Sequence, residues 1–334
     1  MIEAANGIKE IHYSARDGLP EDLLANAIPV VLRDFVAHWP LVELAKQSDD
    51  AIQTHLLSDY NGRPVHVMRA DANCHSRLFY NDDLTGFNFT RSNQPLTDVF
   101  RELSNLEHDD APTIYVGSTA IDSVFPTLRV ENDLDFLADM ALASIWMGNQ
   151  TRIAAHYDAP DNIACVVAGQ RRFVVFPPEQ LANLYVGPLD FTPAGQPASL
   201  VDFHNPDYQK YPRFKHALAA SQGAILQPGD AIYIPSNWWH HVEGLADFNV
   251  LINYWWRQVE HHIGAPNDAL LHAILSIREL PQSQRDAWRQ IFEHYIFDPA
   301  DQSHIPQEAI GVLGPVSELS ARKLRAMLLN KLNR

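Results

Sequence analysis

His156-Tyr157-Asp158 sets an imidazole and a carboxylate two positions apart, and side chains at that spacing share one side of extended backbone. They could supply two neighbouring ligands to a metal. With a distant histidine as third ligand, two imidazoles and a carboxylate occupy one face of an octahedron, the set that holds non-haem iron(II) and leaves positions open for chemistry. The candidate third ligand lies in Asn237-Trp238-Trp239-His240-His241. Adjacent strand residues face opposite ways, so only one of His240 and His241 can join the site, and the spacing does not choose between them. His108-Asp109-Asp110 has the same spacing in a polar stretch and reads as a solvated loop. His261-His262 reads as a structural or surface pair.

The elements that must position these residues are legible in the surrounding pattern. Short β-rich runs punctuated by turns fill Thr113 to Trp256: Ile114 to Val116, Ile163 to Val167, Arg172 to Phe176, Ala231 to Ile234 and Phe248 to Trp255. Strands at this spacing without helical patterns between them predict an antiparallel jelly roll. Gly169-Gln170 and Pro228-Gly229-Asp230 read as hairpin turns, and the His156 triplet as lying just upstream of a strand. Before this core, Ile28 to Leu32 and Pro64 to Arg69 read as strands, and Pro95 to Leu106 as an amphipathic helix. After it come helical patterns over Asp268 to Ile277, Gln284 to Tyr295 and Ser317 to Leu332. The expected fold is mainly β with flanking helices, a double-stranded β-helix (jelly-roll) core and a C-terminal helical segment. The expected parts are an α/β scaffold over 1–110, the catalytic core over 111–257 and helices over 258–334.

Composition bounds the function. The 334 residues are 46% hydrophobic and 20% charged, with a net charge of −16, a globular balance whose field repels nucleic acid. Arg322, Lys323, Arg325, Lys331 and Arg334 spread along a helical pattern and read as a solvated face. Two cysteines, Cys74 and Cys165, are too few for a disulfide framework and favour a reducing compartment. With no apolar run long enough to span a bilayer and no secretory pattern at the first residues, cytoplasmic residence and no membrane partner are expected.

Taken together, Phe89-Thr-Arg-Ser-Asn93, His156-Tyr-Asp158 with Asn162, Gly169 to Pro178, Val201-Asp-Phe-His-Asn-Pro-Asp-Tyr208 and Pro228 to His241 resemble the cupin-like JmjC oxygenases. Within that family the resemblance is strongest to the asparaginyl hydroxylases that repress the hypoxia-inducible factor. It implies Fe(II) on His156, Asp158 and His240, with His241 left as a neighbour. It also implies 2-oxoglutarate as cosubstrate, with Asn162 and Asn253 near its C1 carboxylate and Tyr115 and Arg171 on its distal carboxylate. A buried dicarboxylate does need a cation and hydroxyl donors. Arg171 replaces a lysine of those hydroxylases, and alternation allows only one of Arg171 and Arg172 to face inward. Ile153 replaces a hydroxyl-bearing residue, and Gly195 to Leu200 lacks the Arg-Gln pair that grips the target asparagine, so that substrate does not carry over.

The expected reaction couples decarboxylation of 2-oxoglutarate by dioxygen, giving succinate and carbon dioxide, to hydroxylation of an unactivated C–H bond in an unidentified substrate. Trp239, Trp255 and Tyr157 read first as core and second as cavity wall. The rivals are a metal-dependent cupin enzyme that does not use 2-oxoglutarate, a non-catalytic binding protein, and a lysine demethylase. The resemblance further implies a homodimer through the C-terminal helices, with Leu324 and Leu328 in its interface.

Overall fold

The strand Asp161–Ala168 is buried along its whole length, as its apolar run Ile163 to Ala168 between two packed layers must be. Ile163, Cys165 and Val167 join a cluster containing Trp39, Leu56, Val99 and Phe125. Ala164 and Val166, on the other face, join Phe173, Leu226 and Ile232. One strand thus divides the interior of a two-sheet core from helices on its outer side. The computed structural model describes residues 3–106, 111–138, 140–193, 195–299 and 301–333, and the chain forms two units, Met1–Arg257 and Gln258–Arg334.

Among the described residues the first unit holds two sheets. The smaller runs in the order Asn6–Gly7, Gln222–Leu226, Arg171–Phe176, Trp239–Gly244, Thr151–Tyr157 and Arg77–Leu78. The larger runs Lys9–His12, Val30–Arg33, Ala231–Ile234, Asp161–Ala168, Asn249–Trp256, Leu142–Gly148, Thr113–Ala120, Val65–Ala70 and Thr90–Gln94. From Leu142 to Trp256 successive strands change sheet at each connection except the long one between Phe176 and Gln222. That winding is the double-stranded β-helix, as expected.

It also corrects two turns. Asp161–Ala168 pairs with Ala231–Ile234 and Asn249–Trp256, whereas Arg171–Phe176 pairs with Gln222–Leu226 and Trp239–Gly244. Gly169-Gln170 and Pro228-Gly229-Asp230 are therefore crossings between sheets and not hairpins. The glycines bend the chain in either case, at φ +72° for Gly169 and +101° for Gly229, and local residues do not record which sheet the next strand joins.

Residues before 111 supply strands to both sheets and the helix Leu96–Ser104 where an amphipathic helix was read. Two further helices, Pro40–Gln47 and Asp49–Asp59, meet at Ser48, whose side chain accepts from the Ala51 N–H and starts the second. In the second unit the helices Pro266–Ser276, Gln282–Phe292 and Glu318–Leu332 occupy the three periodic segments. Ser317 and Ser320 cap the last reciprocally. Among the described residues no helix is long and apolar enough to cross a membrane.

Candidate active site

His156 and His240 are opposite each other in the pairing of Thr151–Tyr157 with Trp239–Gly244. Their ring centroids are 4.3 Å apart. Asp158 follows the first strand directly, so the triplet ends one strand as well as preceding another. One ligand atom from each of His156, Asp158 and His240 lies within 4.8 Å of the other two. Both rings are anchored through Nδ1, which donates to the Ala154 carbonyl in His156 (2.9 Å) and to the Trp238 carbonyl in His240 (3.1 Å). This leaves the two Nε2 atoms for a metal, the usual way a protein fixes a ligating imidazole.

Asp158 is held from two sides. Trp255 Nε1 donates to its Oδ2 at 3.1 Å, and the N–H of Asn237, at φ +63°, donates to its backbone carbonyl at 2.8 Å. Burial pulls its carboxyl up, but the His240 hydrogen bond and the charges of His240 and His156 hold it below the ordinary range. Burial, and then His240, push His156 down to about 4. The site is thus a neutral imidazole beside a carboxylate anion, the protonation that metal binding requires.

His241 faces the other way. Its Nε2 meets Glu243 Oε1 at 2.9 Å and its ring packs 4.8 Å from Phe203. The alternation that the sequence left open resolves with His240 inward. His108-Asp109-Asp110 lies outside the described residues. Glu260, His261 and His262 also cluster, but at the surface of the second unit, where His262 Nε2 donates to the Val316 carbonyl at 2.8 Å.

A cavity of about 180 Å³ opens on the three side chains, and Tyr115, Asn162, Arg171 and Asn253 all line it. Arg171 is 1% exposed, yet its Nε and Nη2 have no partner among the described residues. The Tyr115 hydroxyl interacts electrostatically with the same guanidinium. A buried cation with two unpaired donors facing a cavity is costly unless an anion completes it. Arg172, one residue on, points away from the cavity to Glu243, 3.4 Å from Nη1 to Oε2. Asn253 Nδ2 donates to Asn162 Oδ1 at 3.1 Å, which turns the Asn162 amide nitrogen away from Asn253 as a further donor.

Several residues that shape the site carried no sequence signal. Trp146 Nε1 donates to Asn253 Oδ1 at 2.7 Å and fixes that amide's orientation. Its ring stacks on Tyr115 at 6.0 Å and meets Trp255 edge-on at 5.7 Å. Met68, Ser118 and Gln196 also line the cavity. Trp255 is therefore cavity wall, while Trp239 and Tyr157 pack together at 4.9 Å in an apolar cluster behind the sheet. Ile153 lines the cavity and offers no hydroxyl there. From the 195–200 segment, Gln196 reaches the cavity and Ala198 bridges to His156.

Comparison with known proteins agrees with this geometry. The profile of the cupin-like domain family matches residues 16–262. Lysine-specific demethylase JMJ31 of Arabidopsis thaliana is 37% identical over 125 residues, covering 36% of this chain and 22% of that protein. The tRNA wybutosine-synthesizing protein 5 of Gallus gallus is 30% identical over 146 residues, 39% of this chain and 43% of that protein. Lysine-specific demethylase 8 of Xenopus tropicalis is 24% identical over 266 residues, 77% of this chain and 54% of that protein. The chain thus spans from about a fifth to about half of the length of these relatives.

Proposed function

The chain belongs to the cupin-like family, whose JmjC-type members are generally Fe(II)- and 2-oxoglutarate-dependent oxygenases, and from that premise we propose that it hydroxylates an unactivated C–H bond. The observation that carries the reading is the pairing, in one cavity, of a His156/Asp158/His240 ligand set with the Arg171 guanidinium, whose Nε and Nη2 have no partner among the described residues. The residues fit both groups. When bound, Fe(II), 2-oxoglutarate and dioxygen supply oxidative decarboxylation, placing one oxygen atom in succinate and the other in the C–H bond.

The protein's part is positioning. His156 and His240 present Nε2 because each Nδ1 is tied to a backbone carbonyl, and Trp255 fixes the Asp158 carboxylate. Arg171, with Tyr115, would hold the distal carboxylate by a charge-assisted contact. Asn162, oriented through Asn253 and Trp146, would donate to the carboxylate nearer the metal. Trp146, Trp255, Ile153 and Met68 wall the cavity against water.

Demethylation is the second reading, favoured by relatives named lysine-specific demethylases. Hydroxylation is preferred because Asp158 is the one carboxylate among the described lining residues. As a metal ligand it leaves no countercharge for a methylammonium side chain. The proposal extends to a homodimer through the second unit and to cytoplasmic residence. The test is 2-oxoglutarate turnover without added substrate, read as succinate released in the presence of Fe(II) and oxygen. Slow succinate release that Asp158→Ala abolishes is expected. An iron-loaded protein that releases none would overturn the reading in favour of a cupin that does not use 2-oxoglutarate.

A further inference from the structure

The face of the smaller sheet turned away from the cavity carries a second constellation, centred on Glu243, which is 3% exposed. Its Oε1 meets His204 Nε2 at 2.6 Å and His241 Nε2 at 2.9 Å, and its Oε2 lies 3.4 Å from Arg172 Nη1. In the sheet, Glu243 is paired on one side with Arg172 of Arg171–Phe176 and on the other with Arg152 of Thr151–Tyr157. Arg152 Nη1 reaches Asp202 Oδ1 at 3.4 Å, and the same oxygen accepts from the His204 N–H at 2.9 Å. Arg152, Asp202, His204, Glu243 and Arg172 therefore form a continuous belt across three strands. The opposite faces of those three strands carry His156, His240 and Arg171.

The belt lies beside a bulge in the backbone. The pairing of Thr151–Tyr157 with Trp239–Gly244 shifts register between His240 and Val242, so the pairs on the Glu243 side and the pair that sets His156 against His240 stand at different offsets. Glu243 sits just beyond that irregularity. We propose that Glu243 is a positioning residue for the metal centre, setting the mutual register of the strands that present His156 and His240. Removing its charge would leave the buried His241 and the partly buried Arg172 and His204 without the carboxylate that they share, and the strands would settle at a different offset.

This inference rests on the reading of His156, Asp158 and His240 as metal ligands. The test uses cobalt(II) as a probe ion, titrated into the whole protein and read by its visible ligand-field bands. The unmodified protein is expected to bind one ion per chain. Glu243→Gln is expected to bind at least about tenfold more weakly, the scale on which residues supporting metal ligands act, with shifted bands. Val174→Ala removes a buried contact from the same outer face and is expected to lower thermal stability with affinity and bands unchanged. His204→Asn, at the half-exposed end of the belt, is expected to give a smaller loss of affinity in the same sense. Unchanged affinity and bands in Glu243→Gln would overturn the proposal. So would the same result in a folded His204→Asn if Glu243→Gln does not fold. No cobalt bound by the unmodified protein would instead overturn the metal site itself.

Discussion

At His156 the folded protein holds a neutral imidazole, because burial and the neighbouring His240 lower its proton affinity from 6.5 to about 4. The unfolded chain takes up this proton below about pH 6.5 and the folded one only near 4, so unfolding binds a proton across that window. Stability of the metal-free protein should therefore fall as pH drops from 6.5 to 4. Glu243 acts lower down. Burial raises its carboxyl, but His241 and then His204 bring it to about 2 from 4.5, so its contribution is present above 4.5 and lost as pH falls through 2. Urea midpoints against pH check both, with His156→Gln expected to flatten the upper window. Ala in place of His156, Asp158 or His240 should abolish stoichiometric Fe(II) binding, whereas His241→Ala should be much milder. Retention of iron by His240→Ala together with its loss in His241→Ala, followed by metal analysis, would reverse the ligand assignment. The spacing of His156 and Asp158 offered a candidate ligand pair, but His108-Asp109-Asp110 has the same spacing, so the strands that follow His156 had to single it out. Choosing between His240 and His241 took the family resemblance, since the face a strand residue takes depends on a register that a bulge disturbs.

Strands and turns are the scale at which the fold was mostly legible and the path between strands was not. Ala231–Ile234 and Asp161–Ala168 show in their apolar content, but the strand Leu142–Gly148, which brings Trp146 to the cavity, gave no signal among its small and mixed residues. Within Trp239–Gly244 the histidines could be read as strand residues, but the outward partnership of Glu243 with His204 could not, because His204 lies on a distant segment. The crossings look like hairpins because glycine serves both. Gly169 is the more demanding of the two. A Cβ there would stand 2.4 Å from the Phe248 carbonyl and 2.5 Å from Asn249 Oδ1, at φ +72°. Gly169→Ala should cost about 2 kcal/mol or more, from strain at positive φ together with a backbone clash. Urea denaturation measures it, and a loss below about 0.5 kcal/mol would show that the corner yields easily.

For the molecule as a whole, the second unit raises the question of what covers its apolar residues. Leu271, Trp288, Ile291, Tyr295, Leu328 and Leu332 are exposed, and Leu324 is half-buried. Exposed apolar residues at helical spacing are what a docking face would present, and the proposed occupant is a second copy. Truncation before Ser317, or the double change Leu324→Arg and Leu328→Arg, should give monomer in sedimentation equilibrium at low micromolar concentration. A single species near 37.7 kDa from the unmodified protein would contradict the dimer. The cavity lining outside the ligands and Arg171 includes Met68, Ser118, Trp146, Gln196 and Trp255, neutral groups that several elements bring together. The central claim is that one cavity binds a metal and 2-oxoglutarate together. Calorimetric titration of 2-oxoglutarate into the manganese-loaded protein tests it most directly. One molecule should bind per chain. Arg171→Ala should weaken it by about 2–5 kcal/mol, roughly 30-fold or more, while Arg172→Ala leaves it nearly unchanged. Absence of binding to the metal-loaded protein, or equal small effects of the two substitutions, would contradict the account.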